Sequence, residues 1–352
     1  MAIFEIEKVE ITGIACCVPE NTIRTVDFPF SSEQDCRAFI NGTGVEETRY
    51  APEEVCASDL CYEAAERLIK DLNIDKEQIK IVVFVSQSPD YFLPATAIIL
   101  QDRLGISKSC MAFDIGLGCS GYVYGLSVIS GLLRNIPSGH ALLLCGDKST
   151  FSTHPKDKST RPLFGDAGSA TILTKREEAS PMHFNLQSDG SGFESIIIRG
   201  GGTRNPYSLF STEDREIEKD IWRNELSLEM DGVEVFNFSL REVKKNIFHL
   251  LDSLHVDKEE VDFFVMHQAN KFLNETIRKK MGVGIDKVPY SIGRFGNTSS
   301  ASIPLTLVTE LAEKLQSEQL NLLLCGFGVG YSWGSVYLHT SNVKVYPLIE
   351  LK

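Results

Sequence analysis

The sequence predicts an α/β protein built from two duplicated halves, with largely parallel sheets covered by helices on both faces. Two observations lead there. Apolar runs without polar alternation recur along the chain and are separated by stretches with helical spacing, which is the pattern of strands buried on both faces. Short words also return in the same order. Leu142-Leu143-Leu144-Cys145-Gly146 reappears as Leu322-Leu323-Leu324-Cys325-Gly326, an offset of 180 residues. Lys76-Glu77-Gln78-Ile79, followed by an apolar run, is matched by Lys258-Glu259-Glu260-Val261 at an offset of 182.

The elements follow in order. Cys16 and Cys17 sit in a core strand. Strands 81–85, 111–115 and 141–145 of the first half correspond to 262–266, 288–292 and 321–325 of the second. Helices are predicted over 57–71, 95–104 and 120–133, and over 235–253, 270–281 and 301–315. Any one apolar word can recur by chance, so the shared order and near-constant offset carry the duplication. The halves divide as 1–175 and 176–352. With 352 residues, 43% of them hydrophobic, the chain can fill one large core or two ordinary ones.

Composition excludes several classes. The net charge of −13 argues against general nucleic-acid binding, and an acidic partner would have to meet a local basic patch. Nine cysteines form no CxxC pair and no Cys/His cluster with zinc spacing, so no metal site is expected. The N-terminal segment carries early acidic residues and no basic n-region, unlike a secretory signal. No apolar run approaches the ~18 residues of a membrane span. Reduced thiols and a cytoplasmic location are the expectation.

Three polar residues stand out, each on a loop after a strand. Cys119, in Gly118-Cys119-Ser120-Gly121, falls where the strand Cys110–Ile115 gives way to a helix. A helix N-terminus favours a thiolate, although free cysteine is also among the most buried residue types. His267, in His267-Gln268-Ala269-Asn270, ends the strand Val261–Met266, where open α/β sheets place ligand chemistry. It could equally be a satisfied loop histidine, and Asn270 a helix N-cap. Asn297, in Phe295-Gly296-Asn297-Thr298-Ser299-Ser300, lies 178 residues after Cys119, so the repeat places the two on equivalent loops. Gly-Asn is also ordinary turn chemistry.

With this Cys/His/Asn set the sequence resembles the β-ketoacyl-[acyl-carrier-protein] synthase III family of the thiolase superfamily. The resemblance spans nearly the whole chain. It rests on Ala112-Phe113-Asp114 with Cys119-Ser120-Gly121, on Phe164-Gly165-Asp166-Ala167-Gly168-Ser169-Ala170, on His267-Gln268-Ala269-Asn270, on Gly296-Asn297-Thr298-Ser299, and on Phe327-Gly328-Val329-Gly330-Tyr331-Ser332-Trp333-Gly334. It implies a thiolase-like fold of five α-β-α-β-α layers. It also implies a decarboxylating Claisen condensation of an acyl thioester, usually acyl-CoA, with malonyl-acyl carrier protein. Cys119 would carry the acyl group, as a thioester stays open to carbon attack. His267 and Asn297 would donate hydrogen bonds to the enolate. The Cys119 and Val329 N–H groups would form a second oxyanion hole, and Asn270 would support the site from behind. No permanently bound cofactor is implied, and a homodimer is. The Phe164–Ala170 run reads as mainly structural, a tight glycine turn against a sheet.

The chain departs from the family where CoA is held. Ala38 and Gly42 stand at the positions of a nucleotide-binding Trp and Arg, Lys158 at that of an Arg which packs on the adenine, and Val233 at that of a pantetheine-channel Asn. The donor would then be bound differently or be carried on a protein. Leu93 takes the place of a Phe that caps the partner subunit's acyl pocket. Phe272 replaces an Arg expected to touch the carrier. Arg278-Lys279-Lys280 remains, as a docking patch or as a solvated face. An acyltransferase that does not decarboxylate is the alternative reading. A thiolase lacks support, because Gly-His-Pro is absent and Cys325 is displaced by one from the thiolase pattern. A non-catalytic subunit would lose the Cys, and a papain-type hydrolase lacks the duplicated strand order.

Overall fold

The computed structural model describes residues 2–30, 32–219 and 221–352. Five strands of the first half form one sheet: β2 (Val9–Pro19), β3 (Ile79–Val85), β4 (Met111–Ile115), β5 (His140–Asp147) and β6 (Ala167–Lys175), in the order β2-β6-β5-β3-β4. A second sheet joins β1 (Ala2–Ile6), β7 (Met182–Ser188), β10 (Phe263–Met266), β11 (Gln319–Gly328) and β12 (Ser332–Ser341), in the order β1-β7-β12-β11-β10. A hairpin of β8 (Arg215–Glu218) and β9 (Ile221–Arg223) lies outside both.

The duplication shows in the topology. β2, β6, β5 and β3 recur as β7, β12, β11 and β10, and the repeated Leu-Leu-Leu-Cys-Gly word lies in β5 and β11. β5 and β11 each have a parallel neighbour on one side and an antiparallel one on the other. The termini are exchanged. β1 pairs with β7 of the second sheet, while β13 (Lys344–Val345) and β14 (Ile349–Leu351) pair with β2 of the first.

The layers follow from burial on both faces. On one side of the first sheet, Val82, Phe84, Leu142 and Leu144 pack with Leu60, Ala64 and Leu68 of α2 (Ala57–Asp71). From its other side, Val83 and Val85 share a core with α4 (Gly121–Leu133), α7 (Ser302–Glu310) and Leu322, Leu324 and Val336 of the second sheet. On the far side of that sheet, Phe264, Leu323 and Cys325 meet α5 (Gly232–Leu254) and α6 (Lys271–Met281). Strand residues of period two are therefore apolar on both faces, which is why their sequences show no alternation. The five layers are helix, sheet, helix, sheet, helix. The helix α3 (Thr96–Arg103) packs with α2, and α1 (Glu33–Thr43) carries Ala38 and Gly42 on its exposed surface.

Three expectations are corrected. The sheets are mixed rather than largely parallel, because β6, β7 and β12 run antiparallel to their neighbours. Residues 288–292 form no strand: Pro289 has no N–H for a ladder, and the Ser291 N–H goes instead to the Gln268 side chain at 3.2 Å. The helix expected over 301–315 breaks at Leu311 into α7 and α8 (Ala312–Ser317).

Candidate active site

Cys119 occupies the turn between β4 and α4, one residue before the N-cap Ser120. The Gly121 N–H closes that turn on the Gly118 carbonyl at 2.6 Å. The residue is only 8% exposed. Gly328, at the end of β11, makes room for it, since a Cβ there would lie 2.6 Å from Cys119 Cβ and 2.9 Å from its sulfur. The next residue, Val329, points its N–H at the thiol, and the Ser299 hydroxyl faces it as well.

The thiol is not poised as a thiolate. Burial pushes its pKa up to about 11, and the charge of buried Asp147 adds to that shift, against the Val329 N–H and Ser299 hydroxyl. The position before α4 was expected to favour the anion, but desolvation outweighs the helix end. Alkylation of Cys119 by iodoacetamide, followed by peptide mapping, is therefore expected to accelerate about tenfold per pH unit between roughly pH 7 and 10. A plateau near pH 8.5 would show an unperturbed thiol instead.

His267 follows β10, its N–H continuing the ladder to the Cys325 carbonyl at 2.8 Å. Its Nδ1 lies 2.7 Å from Ser302 Oγ, which also accepts the Gln268 N–H at 3.4 Å. That arrangement turns the Ser302 proton toward Nδ1 and leaves the imidazole proton on Nε2. Phe327 packs edge-on to the ring at 5.6 Å. Burial pushes the pKa down to about 3, with the Ser299 carbonyl opposing, so the ring is neutral at ordinary pH.

Asn297 is held through its backbone. Its N–H donates to the Leu163 carbonyl at 2.8 Å, and its carbonyl accepts from Gly165 at 3.1 Å. A Cβ on Gly165 would lie 2.2 Å from the Phe295 carbonyl oxygen, so only glycine allows this approach. The Phe164–Ala170 run thus serves to locate Asn297, and from Ala167 onward it is strand rather than turn. The Asn297 Oδ1 accepts the Ser299 N–H at 2.9 Å.

One cavity of about 270 Å³ is lined by Cys119, His267, Asn297, Asn270, Gly328 and Val329, with apolar walls that include Phe164, Ile196, Leu228 and Phe236. Asn270 also caps α6, its Oδ1 accepting the Leu273 N–H at 2.7 Å. Other expected residues lie apart. Lys158 lines a different cleft. Leu93 is 85% exposed and does not line its own chain's pocket. Arg278 is not an open docking cation: it donates twice to Glu275, at 2.9 and 2.8 Å, and to the Val283 carbonyl at 2.6 Å. Lys279 and Lys280 are exposed. Cys325 is fully buried in β11 with its thiol pKa raised by burial.

Sequence reasoning missed several supports. Asp147 is buried at the end of β5, where it accepts from the Ser86 hydroxyl, the Gln87 N–H, and both the N–H and hydroxyl of Ser300. It ties the loop after β3 to the loop of Asn297. A charge directly after the repeated apolar word was the available signal. Asn274 donates to the His267 carbonyl at 2.9 Å, and Ser302 sets the imidazole.

Five alternating layers with duplicated sheets and a shared Cys/His/Asn pocket define the thiolase class of fold. Family models described as 3-oxoacyl-[acyl-carrier-protein] synthase III and as its C-terminal part match residues 113–190 and 251–340. A β-ketoacyl-[acyl-carrier-protein] synthase III from Halalkalibacterium halodurans is 32% identical over 330 residues, covering 93% of this chain and 97% of that one. The crystal structure of a 3-oxoacyl-(acyl-carrier protein) synthase from Burkholderia xenovorans superposes with a TM-score of 0.93 at 38% identity, covering 99% of both chains. A synthase III from Pseudomonas aeruginosa gives a TM-score of 0.82 at 26% identity, over 96% of this chain and 99% of that one. The chain belongs to the β-ketoacyl-[acyl-carrier-protein] synthase III family, and is an acyltransferase of the condensing type.

Proposed function

We propose that this pocket performs the decarboxylating condensation of an acyl thioester with a malonyl unit on acyl carrier protein, Cys119 carrying the acyl group between the two half-reactions. The Cys119 sulfur attacks the donor's thioester carbonyl. The N–H groups of Cys119 and Val329 meet the tetrahedral oxyanion, the donor's C–S bond breaks, and the thiol proton leaves with the departing sulfur. In the malonyl thioester the bond to the carboxylate then breaks. Carbon dioxide departs and the electron pair forms an enolate, whose oxygen accepts from His267 Nε2–H and the Asn297 amide. The enolate carbon attacks the acyl-Cys carbonyl, the acyl C–S bond breaks as the β-ketoacyl-carrier forms, and the departing Cys119 thiolate takes a proton from water.

The observation that carries this reading is the placing of a buried imidazole in the same pocket as Cys119 and Asn297, its Nδ1 held by Ser302 Oγ at 2.7 Å and Phe327 packed on the ring, where burial pushes its pKa down to about 3. Such a ring donates a hydrogen bond and is a poor base. A papain-type thiolate–imidazolium pair does not fit it, nor does a transferase that must deprotonate an alcohol or amine.

The halves 1–175 and 176–352 divide the work, the first bringing Cys119 and the second His267 and Asn297. The chemistry calls for no resident cofactor, and its substrates place it in the cytoplasm. No helix among the described residues is long and apolar enough to cross a membrane. Lys279 and Lys280 at the end of α6 offer the carrier a cationic contact, while Arg278 is committed to Glu275. A second copy covers the edge strand β4, where Tyr91, Phe92, Leu93, Ile98 and Met111 are exposed, and so brings Leu93 to the partner's acyl pocket. Acyl-CoA is the proposed donor.

Mass spectrometry after incubation with acyl-CoA and acyl-carrier donors tests these points together. Denatured protein should gain one acyl group at Cys119, and the native spectrum should show a dimer. Addition of malonyl-carrier should then remove the acyl group with release of CO₂. Acylation that never yields CO₂ would overturn the condensing reading.

A further inference from the structure

Cys119 rests as a thiol, so its proton must find an acceptor as the sulfur attacks. Among the described residues that line the pocket, the titratable side chains besides Cys119 are His267, Lys148 and Asp147. His267 is a poor base. The Lys148 ammonium is spent on the Pro52, Glu53 and Val55 carbonyls, at 2.6, 3.0 and 2.8 Å. Asp147 is left. Burial pushes its carboxyl above the usual range, while the Ser86, Gln87 and Ser300 donors favour its ionised form.

One residue links the thiol to that carboxylate. Ser299 is 6% exposed, and its φ of +50° is a left-handed conformation that few residues other than glycine adopt. Its N–H donates to Asn297 Oδ1 at 2.9 Å, and its carbonyl faces the His267 ring. Held in this way, its hydroxyl faces both the Cys119 thiol and the Asp147 carboxylate. Gly118 leaves it room, since a Cβ there would lie 3.0 Å from Ser299 Oγ. A hydroxyl accepts one proton while it gives up another.

We infer that Ser299 is a catalytic residue of the acylation step, its hydroxyl relaying the Cys119 proton to Asp147. The thioester donor in this step rests on the proposed condensing function. As the sulfur bonds to the donor's carbonyl carbon, its S–H becomes strongly acidic. That proton passes to Ser299 Oγ, and the Ser299 proton passes to the Asp147 carboxylate. When the donor's C–S bond breaks, the carboxyl returns the proton through the same hydroxyl to the departing sulfur. Ser299 and Asp147 end as they began, and no thiolate has to form beforehand. Asp147 acts through Ser299 and does not touch the donor. The thiols of Cys61 and Cys145 also face Asp147, and burial raises both so that they stay neutral through the test below.

Self-acylation by saturating acyl-CoA, followed by intact mass between pH 7 and 9, tests the relay. The wild-type rate is expected to be nearly flat, because ionised Asp147 supplies the base. Ser299→Gly suits the left-handed backbone and keeps its N–H, so it should melt close to the wild type. It is expected to acylate about 10²-fold more slowly at pH 7, with KM within about twofold. Its rate should then recover about tenfold per pH unit, as hydroxide forms the thiolate instead. Asp147→Asn should share that slope, and Ser299→Gly decides the matter if the asparagine variant melts early. A Ser299→Gly protein that acylates at the wild-type rate, or is slowed equally at every pH, would overturn the relay. So would a wild-type rate that climbs about tenfold per pH unit. The relay is read from acylation alone, whereas CO₂ release by the acylated wild type with malonyl-carrier decides the condensing reading, so either can fall without the other.

Discussion

Replacing Cys119 with Ala is expected to abolish acylation by any thioester donor and to lower condensation by at least about 10⁴-fold, because Cys119 is the one thiol among the described residues that line the pocket. Release of CO₂ from malonyl-carrier should persist, since His267 and Asn297 are untouched. The fold should tolerate the change. The thiol faces the Val329 N–H and the Ser299 hydroxyl, and its loss leaves a small gap beside Gly328, at a cost of about 1 kcal/mol. Intact mass, CO₂ release and thermal unfolding on one preparation separate these effects. Loss of both half-reactions with an unchanged melting curve would mean that Cys119 does more than carry the acyl group. The raised thiol pKa gives the variant its meaning: roughly one molecule in 10⁴ is a thiolate near pH 7. The pocket must therefore promote attack through the bound thioester, with the Val329 and Cys119 N–H groups stabilising the oxyanion, rather than through a pre-formed anion.

The strands and the Cys/His/Asn set were legible because they depend on short-range signals. Apolar words mark β3, β5, β10 and β11, and Cys119 and His267 each follow a strand, whereas the strand expected before Asn297 does not form. Strand direction was not legible. A run buried on both faces reads alike in either orientation, and β11 returns as β12 through only three residues, 329–331, with no helix between to announce it. Burial of charge was equally hidden. Asp147 looks like a loop residue until Ser86, Gln87 and Ser300 close around it. The Arg278-Lys279-Lys280 run looks uniformly basic until Glu275 and Val283 take up the first of them. The same holds for the thiol of Cys119. The helix start is visible in the sequence, but the desolvation that outweighs it comes from β11 and the Ser299 loop, well over a hundred residues away.

His267→Ala and Asn297→Ala are expected to leave self-acylation of Cys119 within about tenfold of the wild type and to lower decarboxylation by about 10²–10³-fold each, the usual cost of one oxyanion-hole donor. The double variant should lose less than the product of the two, because both donate to one oxygen. The pH profile distinguishes a neutral donor from a base. With a pKa near 3, His267 contributes no limb near pH 6.5 to the decarboxylation rate, and the wild-type profile should be flat there. Stability should respond instead. An unfolded histidine titrates near 6.5, so below that pH the unfolded chain binds a proton that the folded chain refuses. His267 therefore destabilises the fold progressively as pH falls from about 6.5 toward 3. His267→Ala should show a smaller loss of melting temperature over that window than the wild type. A decarboxylation rate that falls with a midpoint near 6.5 and loses that limb in His267→Ala would make His267 a base and remove the observation on which the condensing reading rests. Equal loss of acylation and decarboxylation in all three single variants would instead deny the division of labour between the thiol and its two neutral donors.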